Sequence, residues 1–396
     1  MSKTIEKWKD EVFGDVFIFL QTNSFSRNDM NYDDGYVQNI HYGDIHTKYG
    51  CLLDSCTFPV PFLNPDISIL KFKDGSYLQK GDIIIADTAE DNSVGKALEI
   101  VNMVFPTLSG QHTIACRPKT HFATGFLGYF LNSDYFHNQL LPVITGTKVS
   151  SISKANIVLT RLLIPPLPEQ EKIAEILTTC DRVLTLKREL LEEKRKQKQW
   201  LMQNLLAPDS GVRLLGFNGE WESTHLSKVS QICKGTQINL DKLTKSGPYY
   251  VLNGGCTPSG YTNDWNVDED TVSISEGGNS CGFVNYNIAK FWSGGHCYTL
   301  QNLHNNIHRY FLYSYLKYKE GEIMHLRVGS GLPNIQKKDL SIFLISYPPL
   351  PEQTAIAEIL STADKEISLL EEEIQAWELK KKALMQLLLT GIVRTI

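Results

Sequence analysis

The sequence predicts a mixed α/β (α+β) protein in which two strand-rich domains are joined by two long helices that pair as an antiparallel coiled coil. A proline-led segment occurs twice, as PPLPEQEKIAEIL from residue 165 and as PPLPEQTAIAEIL from residue 348. Such an internal repeat indicates duplicated architecture. A long stretch without Pro or Gly follows each copy, which predicts a long helix. Short β-branched runs that end in polar or glycine turns, such as GDIIIADT and TVSISEGG, predict strands between the helices.

The first long helix is expected from Pro168 to Leu205, since proline suits the first helical turn. At 1.5 Å per residue it would be ~57 Å long. Glu169 and Glu171 complement the positive end of its dipole, and the second helix is expected to stop at Gly391. Apolar residues recur in steps of three and four, which is typical of a coiled-coil seam. The predicted seam is formed by Ile173, Ile176, Leu184, Leu191, Leu201, Ile356, Ile359, Ile367, Leu370, Ile374, Trp377 and Leu384. The alternative is that each helix packs only on its own domain.

The repeat extends upstream of the prolines. Gly146 matches Gly329 at the same offset as the prolines, FLGYFL and FLYSYL predict a helix in each half, and Trp8 and Trp221 stand near the two starts. The predicted organisation is a first domain over 1–164, a first spacer helix over 165–207, a second domain over 208–347 and a second spacer helix over 348–396. The domain interiors differ in length and sequence, as expected for two recognition modules with different targets.

Composition excludes several classes of protein. The net charge is −5, so any DNA binding would need local basic patches or a partner that contacts phosphates. The eight cysteines show no CxxC pairs, which favours reduced thiols over a metal site. No apolar run approaches the ~18–20 residues that span a bilayer, and the start of the chain lacks a signal-type stretch. We therefore expect a cytoplasmic protein with no membrane contact.

Motifs of catalysis are also missing. IPPL (164–167) and YPPL (347–350) lack the Asn or Asp and the aromatic residue of an adenine methyltransferase tetrapeptide, and no P-loop occurs. Asp82, Asp87, Glu90 and Asp91 could suggest a metal nuclease, but no lysine accompanies them in a nuclease-like order, so we interpret them as solvated turn carboxylates. His41 and His46 flank a strand-like segment. The chain is predicted to be non-catalytic, with no metal and no cofactor of its own.

The doubled PPLPEQ..IAEIL helix start, IHYGDI (40–45), GDIIIADTAED with VGKA, FWSGGHCY and the GT/GS loop before each PPLP carry a resemblance. Together they resemble the specificity subunit of type I restriction–modification systems. The resemblance implies that two target-recognition domains each read half of a bipartite sequence in double-stranded DNA. It implies an antiparallel coiled coil that spaces them, with the repeated halves related by a pseudo-twofold axis. It also implies two methyltransferase subunits that use S-adenosylmethionine, and two restriction/motor subunits, dependent on ATP and Mg, that can join them.

Base edges are read by Arg, Lys, Asn, Gln, Ser and Thr side chains, with aromatic and apolar groups against thymine methyls. The expected DNA contacts are His41, Tyr42, Lys48, Thr147 and Lys148 in the first domain, and Lys234, Asn253, Ser275, Arg327 and Ser330 in the second. The basic run Lys194, Arg195, Lys196 and Lys198 is expected on a solvated flank of the coiled coil or against a methyltransferase. The alternative function is a coiled-coil adaptor whose two globular domains bind proteins or another non-DNA ligand.

Overall fold

A computed structural model describes residues 7–91, 93–146, 148–329 and 331–395. The strands before the first PPLP are β1 (Lys9–Val12), β2 (Phe17–Phe19), β3 (Met30–Asn31), β4 (Gln38–Ile40), β5 (Leu52–Asp54), β6 (Phe62–Leu63), β7 (Ile83–Ala86), β8 (Thr88–Ala89), β9 (Ala97–Asn102), β10 (Thr107–Ser109), β11 (Thr113–Pro118), β12 (Ser150–Ser151) and β13 (Arg161–Ile164). The helices of this region are α1 (Phe13–Val16), α2 (Tyr42–Thr47), α3 (Phe126–Leu131), α4 (Asp134–Leu140) and α5 (Lys154–Val158), with 3₁₀ turns at Arg27–Asp29, Asp74–Ser76 and Leu141–Val143.

The first long helix, α6, spans Leu167–Leu205. The strands that follow are β14 (Glu222–His225), β15 (Gln231–Lys234), β16 (Tyr249–Leu252), β17 (Gly260–Thr262), β18 (Thr271–Ser275), β19 (Val284–Asn287), β20 (Phe291–Ser293), β21 (Cys297–Gln301) and β22 (Leu344–Tyr347). The helices are α7 (Leu226–Val229), α8 (Arg309–Tyr318), α9 (Glu320–His325), α10 (Lys337–Ser341) and the second long helix, α11 (Leu350–Leu389), with 3₁₀ turns at Pro208–Ser210 and Leu240–Lys242.

The chain divides into two compact units, and the division passes through both long helices. Unit 1 contains the residues up to Lys187 and those from Glu373 onward, and unit 2 runs from Arg188 to Glu372. Each unit therefore combines one globular part with one end of each long helix. Gly391, at φ 71°, follows the end of α11 in the left-handed conformation that favours glycine after a helix.

Unit 1 is built around a five-stranded sheet of order β2-β11-β7-β9-β5. Its pairs are antiparallel except β5 with β9, and α3, α4 and the start of α6 contribute to the core on one side. Glu99 of β9 is buried and accepts hydrogen bonds from the backbone N–H groups of Gly125 and Gly128, at 2.6 and 2.8 Å, which ties the sheet to α3. Burial raises the pKa of Glu99 to about 7, although these bonds oppose the shift.

Unit 2 repeats this plan with a shorter interior. Its main sheet has the order β15-β21-β18-β19 and is antiparallel throughout. The correspondence is β2 with β15, β11 with β21, β7 with β18 and β9 with β19. In both units a two-stranded ribbon precedes a long helix, β1 with β13 and β14 with β22, and Trp8 and Trp221 stand directly before the first strand of each ribbon. The predicted internal repeat is confirmed at the level of topology.

The long helices run antiparallel within each unit, as predicted. In unit 1 Lys381 pairs with Asp181 and Lys187 with Glu373, each at 2.5 Å. In unit 2 ion pairs of the same kind join Lys194 to Glu366 and Arg195 to Glu371, each at 2.7 Å. Of the predicted seam, Ile173, Leu184, Leu191, Ile356, Leu370 and Ile374 are buried, and Ile176, Leu201, Ile359, Ile367, Trp377 and Leu384 are half-buried.

The Glu-Gln pair of each PPLPEQ holds a helix start to its unit. In unit 1 the Gln170 amide accepts from the backbone N–H of Ala123 at 3.0 Å and donates to the carbonyl of Pro165 at 2.9 Å. In unit 2 Gln353 accepts from the N–H of His308 and donates to Pro348 O, both at 2.8 Å. Both glutamines are buried. The repeated motif is therefore a structural joint.

Asp82 corrects one sequence-based interpretation. This residue was expected as a solvated turn carboxylate, but it is 1% exposed. Arg117 Nε and Nη2 donate to its two oxygens, each at 2.7 Å, and the backbone N–H of Gln79 donates as well. The pairing across β7 and β11, which lie far apart in sequence, supplies the arginine that allows this carboxylate to be buried.

Candidate nucleic-acid interface

Three of the predicted DNA contacts lie at helix α2 of unit 1: Tyr42 is its first residue, and His41 and Lys48 are the cap residues on either side. Residues 42–47 form this helix instead of the strand expected between His41 and His46, because the His41 ring caps it: Nδ1 accepts the N–H of Gly43 at 3.1 Å. Burial lowers the pKa of His41, and the nearby Arg27 acts in the same direction. The neutral ring that accepts this bond is therefore favoured.

A buried carboxylate fixes two exposed cations beside this helix. Asp44 is fully buried, with Arg27 Nη1 at 2.7 Å and Lys48 Nζ at 3.0 Å. The side chains of Arg27 and Lys48 are 45% and 47% exposed. The hydrogen bond to Asp44 raises the pKa of Arg27, and contacts with Tyr32 and Asp44 raise the pKa of Lys48, so both remain charged. Two cations on one carboxylate leave this group of three side chains with an excess of positive charge.

Aromatic rings join α2 to the end of the main sheet. The Tyr42 ring lies 4.6 Å from His41, 5.3 Å from His112 and 6.3 Å from His46, measured between ring centroids. His112 directly precedes β11. The structure thus brings His41, Tyr42 and Lys48 together with His112, which the sequence analysis had not selected.

Thr145 and Ser151 adjoin the same sheet end. Thr145 and Ser151 exchange backbone hydrogen bonds, and β12 pairs antiparallel with β8 at Ser151 and Thr88. Lys148, a predicted DNA contact that lies between them in the sequence, is exposed. Thr147, the other predicted contact of this segment, lies outside the described residues.

Unit 2 places two predicted contacts at the corresponding end of its sheet. Lys234 ends β15, and its Nζ lies 2.6 Å from Oε1 of Glu276, which follows β18 and is 7% exposed. The Tyr298 hydroxyl donates to the same oxygen at 3.1 Å. Asn253 follows β16, and its Oδ1 accepts the backbone N–H of His296 at 3.2 Å.

The other predicted contacts of unit 2 divide into an exposed residue and a buried one. Arg327 is exposed just before the loop that Val328 and Asn334 close by mutual backbone bonds. Ser275 is 5% exposed, and its hydroxyl donates to Gly254 O at 2.6 Å, so its hydrogen is already committed inside the protein. We therefore remove Ser275 from the expected contacts. Ser330 lies outside the described residues.

Sequence reasoning missed the histidines at the two sheet ends. His112 and His296 each stand in a Gly-x-His segment, GQH (110–112) and GGH (294–296), immediately before equivalent strands. The repeated spacing was a usable signal, but its two copies are offset differently from the PPLP repeat. What these two histidines can contribute to a binding site depends on the side chains that the adjacent strands place beside them.

Other chemistry is not assembled in the described part of the chain. Residues 278–282 read GNSCG, which matches the G-x-S-x-G spacing, but they form a turn between antiparallel β18 and β19, and the Ser280 hydroxyl contacts Cys256 Sγ at 3.2 Å. A nucleophile elbow needs a strand followed by a helix. All eight cysteines are free, and in the described ranges no three His, Cys, Asp or Glu side chains cluster as metal ligands.

The basic run on α6 lies among acidic partners. Lys194 and Arg195 pair with α11 as described above, Lys198 pairs with Asp364, and Lys196 pairs with Glu193 of its own helix. Lys194, Arg195 and Lys198 therefore contribute to helix pairing, and Lys196 is paired within α6. Within the described ranges, none of the helices is long and apolar enough to cross a membrane.

Comparison with known proteins gives one consistent picture. The family described as "Type I restriction modification DNA specificity domain" matches residues 5–193 and 218–379. A relative from Methanocaldococcus jannaschii, assigned as a type I restriction enzyme MjaX specificity subunit, is 26% identical over 337 residues, covering 79% of each chain. A relative from Mycoplasma pneumoniae, assigned as a type I specificity subunit, is 34% identical over 165 residues, which are 41% of this chain and 43% of the relative. The crystal structure of the S subunit from a type I system of M. genitalium superposes with a TM-score of 0.66 at 16% identity, covering 98% of this chain and 97% of the other.

Proposed function

Because the chain belongs to the family of type I restriction–modification DNA specificity domains, which it matches in both halves, we propose that each unit reads one half of a bipartite target in double-stranded DNA. As a member of this family the chain is a recognition subunit and not an enzyme. The observation that carries the proposal is the repeated sheet end, where each unit gathers cationic, aromatic and polar side chains.

The side chains of unit 1 suit the two kinds of contact that DNA-binding proteins make, those with phosphates and those with base edges. Arg27 and Lys48 are exposed, charged and held by Asp44, so they are suited to phosphates. Phosphate contacts position a protein, while contacts to base edges specify the sequence. Tyr42 adjoins the His41 cap of the same helix, and Lys148 is exposed on the segment that β12 ties to β8; the two residues complete the proposed contact surface. Lys234, Asn253 and Arg327 are the proposed counterparts in unit 2.

The proposal includes the partners of such a system. Two methyltransferase subunits would use S-adenosylmethionine to methylate adenine, and two restriction/motor subunits would use ATP and Mg. The chain itself would need no cofactor. A cytoplasmic location, where host DNA is accessible, remains a prediction of the proposal.

The experiment is reconstitution with a methyltransferase subunit of a type I system from the same host. The complex should methylate DNA at a single bipartite sequence in the presence of S-adenosylmethionine, and the methyltransferase alone should show no such preference. Sequencing of methylated positions across a whole genome measures this directly. Methylation without sequence preference would refute the proposal, and binding to a protein or another ligand in place of DNA would favour the adaptor alternative.

A further inference from the structure

A histidine and a carboxylate are paired at the same place in both units. In unit 1 His112 Nδ1 lies 3.6 Å from Oδ1 of Asp87, and in unit 2 His296 Nδ1 lies 3.6 Å from Oε2 of Glu276. Asp87 directly follows β7 and Glu276 directly follows β18, while the histidines directly precede β11 and β21. These are equivalent strands of the two repeated sheets.

Backbone hydrogen bonds show that the two histidine–carboxylate pairs occupy equivalent positions in their sheets. The N–H of Asp87 donates to His112 O at 3.1 Å, and the N–H of Glu276 donates to His296 O at 2.9 Å. Each pair therefore continues the ladder of two adjacent antiparallel strands by one residue, which brings the two side chains to the same face. The offset between the histidines differs from that between the PPLP segments, so the sheet, and not the sequence spacing, preserves this pairing.

The contacts of the His112 ring in unit 1 fit one of its two tautomers. The amide nitrogen of Gln111 lies 3.3 Å from Nε2 and can only donate, so this contact is a hydrogen bond in the tautomer whose Nε2 is an acceptor. Nδ1 then carries the hydrogen and faces Thr88 Oγ1 at 3.3 Å. The Thr88 hydroxyl in turn donates to Asp87 at 2.8 Å. Threonine thus relays the orientation from the carboxylate to the ring.

In unit 2, different residues place a carboxylate beside Nδ1 of the histidine. Gly277 stands where unit 1 has Thr88, and Glu276 is one methylene longer than Asp87, so the carboxylate faces the ring directly. Glu276 is 7% exposed, and its Oε2 has no hydrogen-bond partner among the described residues. Lys234 already balances its charge from the other oxygen. A buried acceptor of this kind is costly unless paired, and Nδ1–H of His296 needs to move by less than ~1 Å to reach hydrogen-bond distance.

Both rings are accessible to solvent. The side chains of His112 and His296 are 45% and 62% exposed. His112 also adopts a φ of 54°, a conformation that is uncommon for residues other than glycine and that concentrates at functional sites. An acceptor held in a fixed orientation at an exposed sheet end is matched by the exocyclic amino groups of adenine and cytosine in the major groove.

We propose that His112 and His296 are specificity-determining residues, one for each half-site, whose Nε2 accepts a hydrogen bond from a base amino group. Asp87 and Glu276 are positioning residues that fix the tautomer. The inference rests on the proposed function and adds to it the residues that read sequence. In unit 1 the Gln111 amide occupies Nε2 in the free protein and is displaced by the base.

The test uses the complete complex with its methyltransferase and four substitutions. His112→Asn and His296→Asn shorten the side chain and remove the outer acceptor, whereas His112→Gln and His296→Gln place an amide oxygen near the position of Nε2. In the Asn variants we expect discrimination at one base pair of one half-site to fall about 10-fold. The affected half-site should differ between the two positions, and the Gln variants should retain most of the discrimination.

The controls are His121→Asn in unit 1 and His304→Asn in unit 2, which alter exposed histidines that have no carboxylate partner in the described structure. Both should leave the target unchanged. Asp87→Asn should weaken discrimination at the same base pair as His112→Asn, which a merely structural role would not produce.

Three outcomes would overturn the inference. These are an unchanged target in the Asn variants, an equal loss of methylation on all sequences, or effects of both histidines on the same half-site. If instead the unsubstituted complex shows no sequence preference, the proposed function itself fails. Should an Asn variant not assemble, the Gln variant at that position and Asp87→Asn decide the question by the same measurement.

Discussion

At the scale of residues, the buried carboxylate of Asp44 in unit 1 holds two cationic side chains at the surface. Asp44 is fully buried, and without partners its charge would be strongly destabilising. Arg27 donates a hydrogen bond to its Oδ2 and Lys48 forms an ion pair with its Oδ1, while both cationic side chains stay nearly half exposed. The overall negative charge of the chain is therefore compatible with DNA binding, since the charge that matters is arranged locally.

A double substitution of these cations tests their contact with phosphates. Replacing Arg27 and Lys48 by Gln should reduce the slope of log affinity against log salt by roughly 1.8, because each phosphate contact contributes ~0.9. The sequence preference should stay the same. Binding of the methyltransferase complex to its target at several salt concentrations provides the measurement.

Lys172→Gln is the matched control, since Lys172 is an exposed lysine of unit 1 on α6 that pairs only with Glu175 in the described structure. An unchanged slope in the double variant would show that Arg27 and Lys48 do not contact phosphates. A changed target sequence would instead assign them to base recognition.

At the scale of elements, each PPLPEQ helix start is locked to the end of the other helix. Glu169, at the start of α6, is fully buried and accepts from Arg394 Nε at 2.6 Å and Nη2 at 2.7 Å, just beyond α11. Burial opposes ionisation, yet the bonds from Arg394 and Trp8 hold the pKa of Glu169 below its ordinary value. Glu352, at the start of α11, binds Arg213 beyond α6 in the same bidentate way, at 2.7 and 2.5 Å. Antiparallel pairing makes both contacts possible, because it places the start of each long helix beside the end of the other.

Removal of either arginine should destabilise one unit selectively. Arg394→Ala should lower the free energy of unfolding of unit 1 by about 2–3 kcal/mol, because it leaves a buried carboxylate without its charged partner. Arg213→Ala should do the same to unit 2. Urea unfolding followed by a probe in each unit measures both effects.

Arg195→Ala is the control, since Arg195 forms exposed ion pairs with Glu192 and Glu371, and such pairs contribute ~1 kcal/mol or less. Equal losses from all three substitutions would mean that the glutamate locks are no stronger than surface pairs.

At the scale of the whole molecule, helix length is expected to set the spacing of the target. The helices α6 and α11 contain 39 and 40 residues, far beyond the average of ~11–12. Each unit takes one end of both helices. We propose that the helix pair determines how many unspecified base pairs separate the two half-sites.

Insertion of one heptad into both helices tests this proposal. The insertions belong after Lys187 and before Glu373, which face each other as an ion pair, so that a seven-residue step preserves the seam on both sides. Seven residues add ~10 Å of helix, which corresponds to at most about three base-pair steps of 3.4 Å. The methylated target should gain one to three base pairs of spacer, with both half-sites unchanged. A heptad in only one helix serves as the control and should impair folding, and altered half-sites would contradict the proposal.

The sequence by itself determined the repeated architecture and the long helices. Periodicity over some forty residues and an identical helix start are local patterns, and helices form from local hydrogen bonds. The same is true of the short β-branched strands. Part of the candidate interface also follows from the sequence, because His41, Tyr42 and Lys48 are neighbours along one segment.

Tertiary structure alone decided which side chains work together. The pairs of Asp87 with His112 and of Glu276 with His296 join residues about twenty or more positions apart, and only strand pairing brings them to one sheet end. The same long-range pairing buried Asp82 against Arg117 and closed Ser275 to solvent. Strand partners are set by the hydrophobic faces of the whole sheet and not by local sequence, so contacts that depend on them cannot be predicted from local patterns.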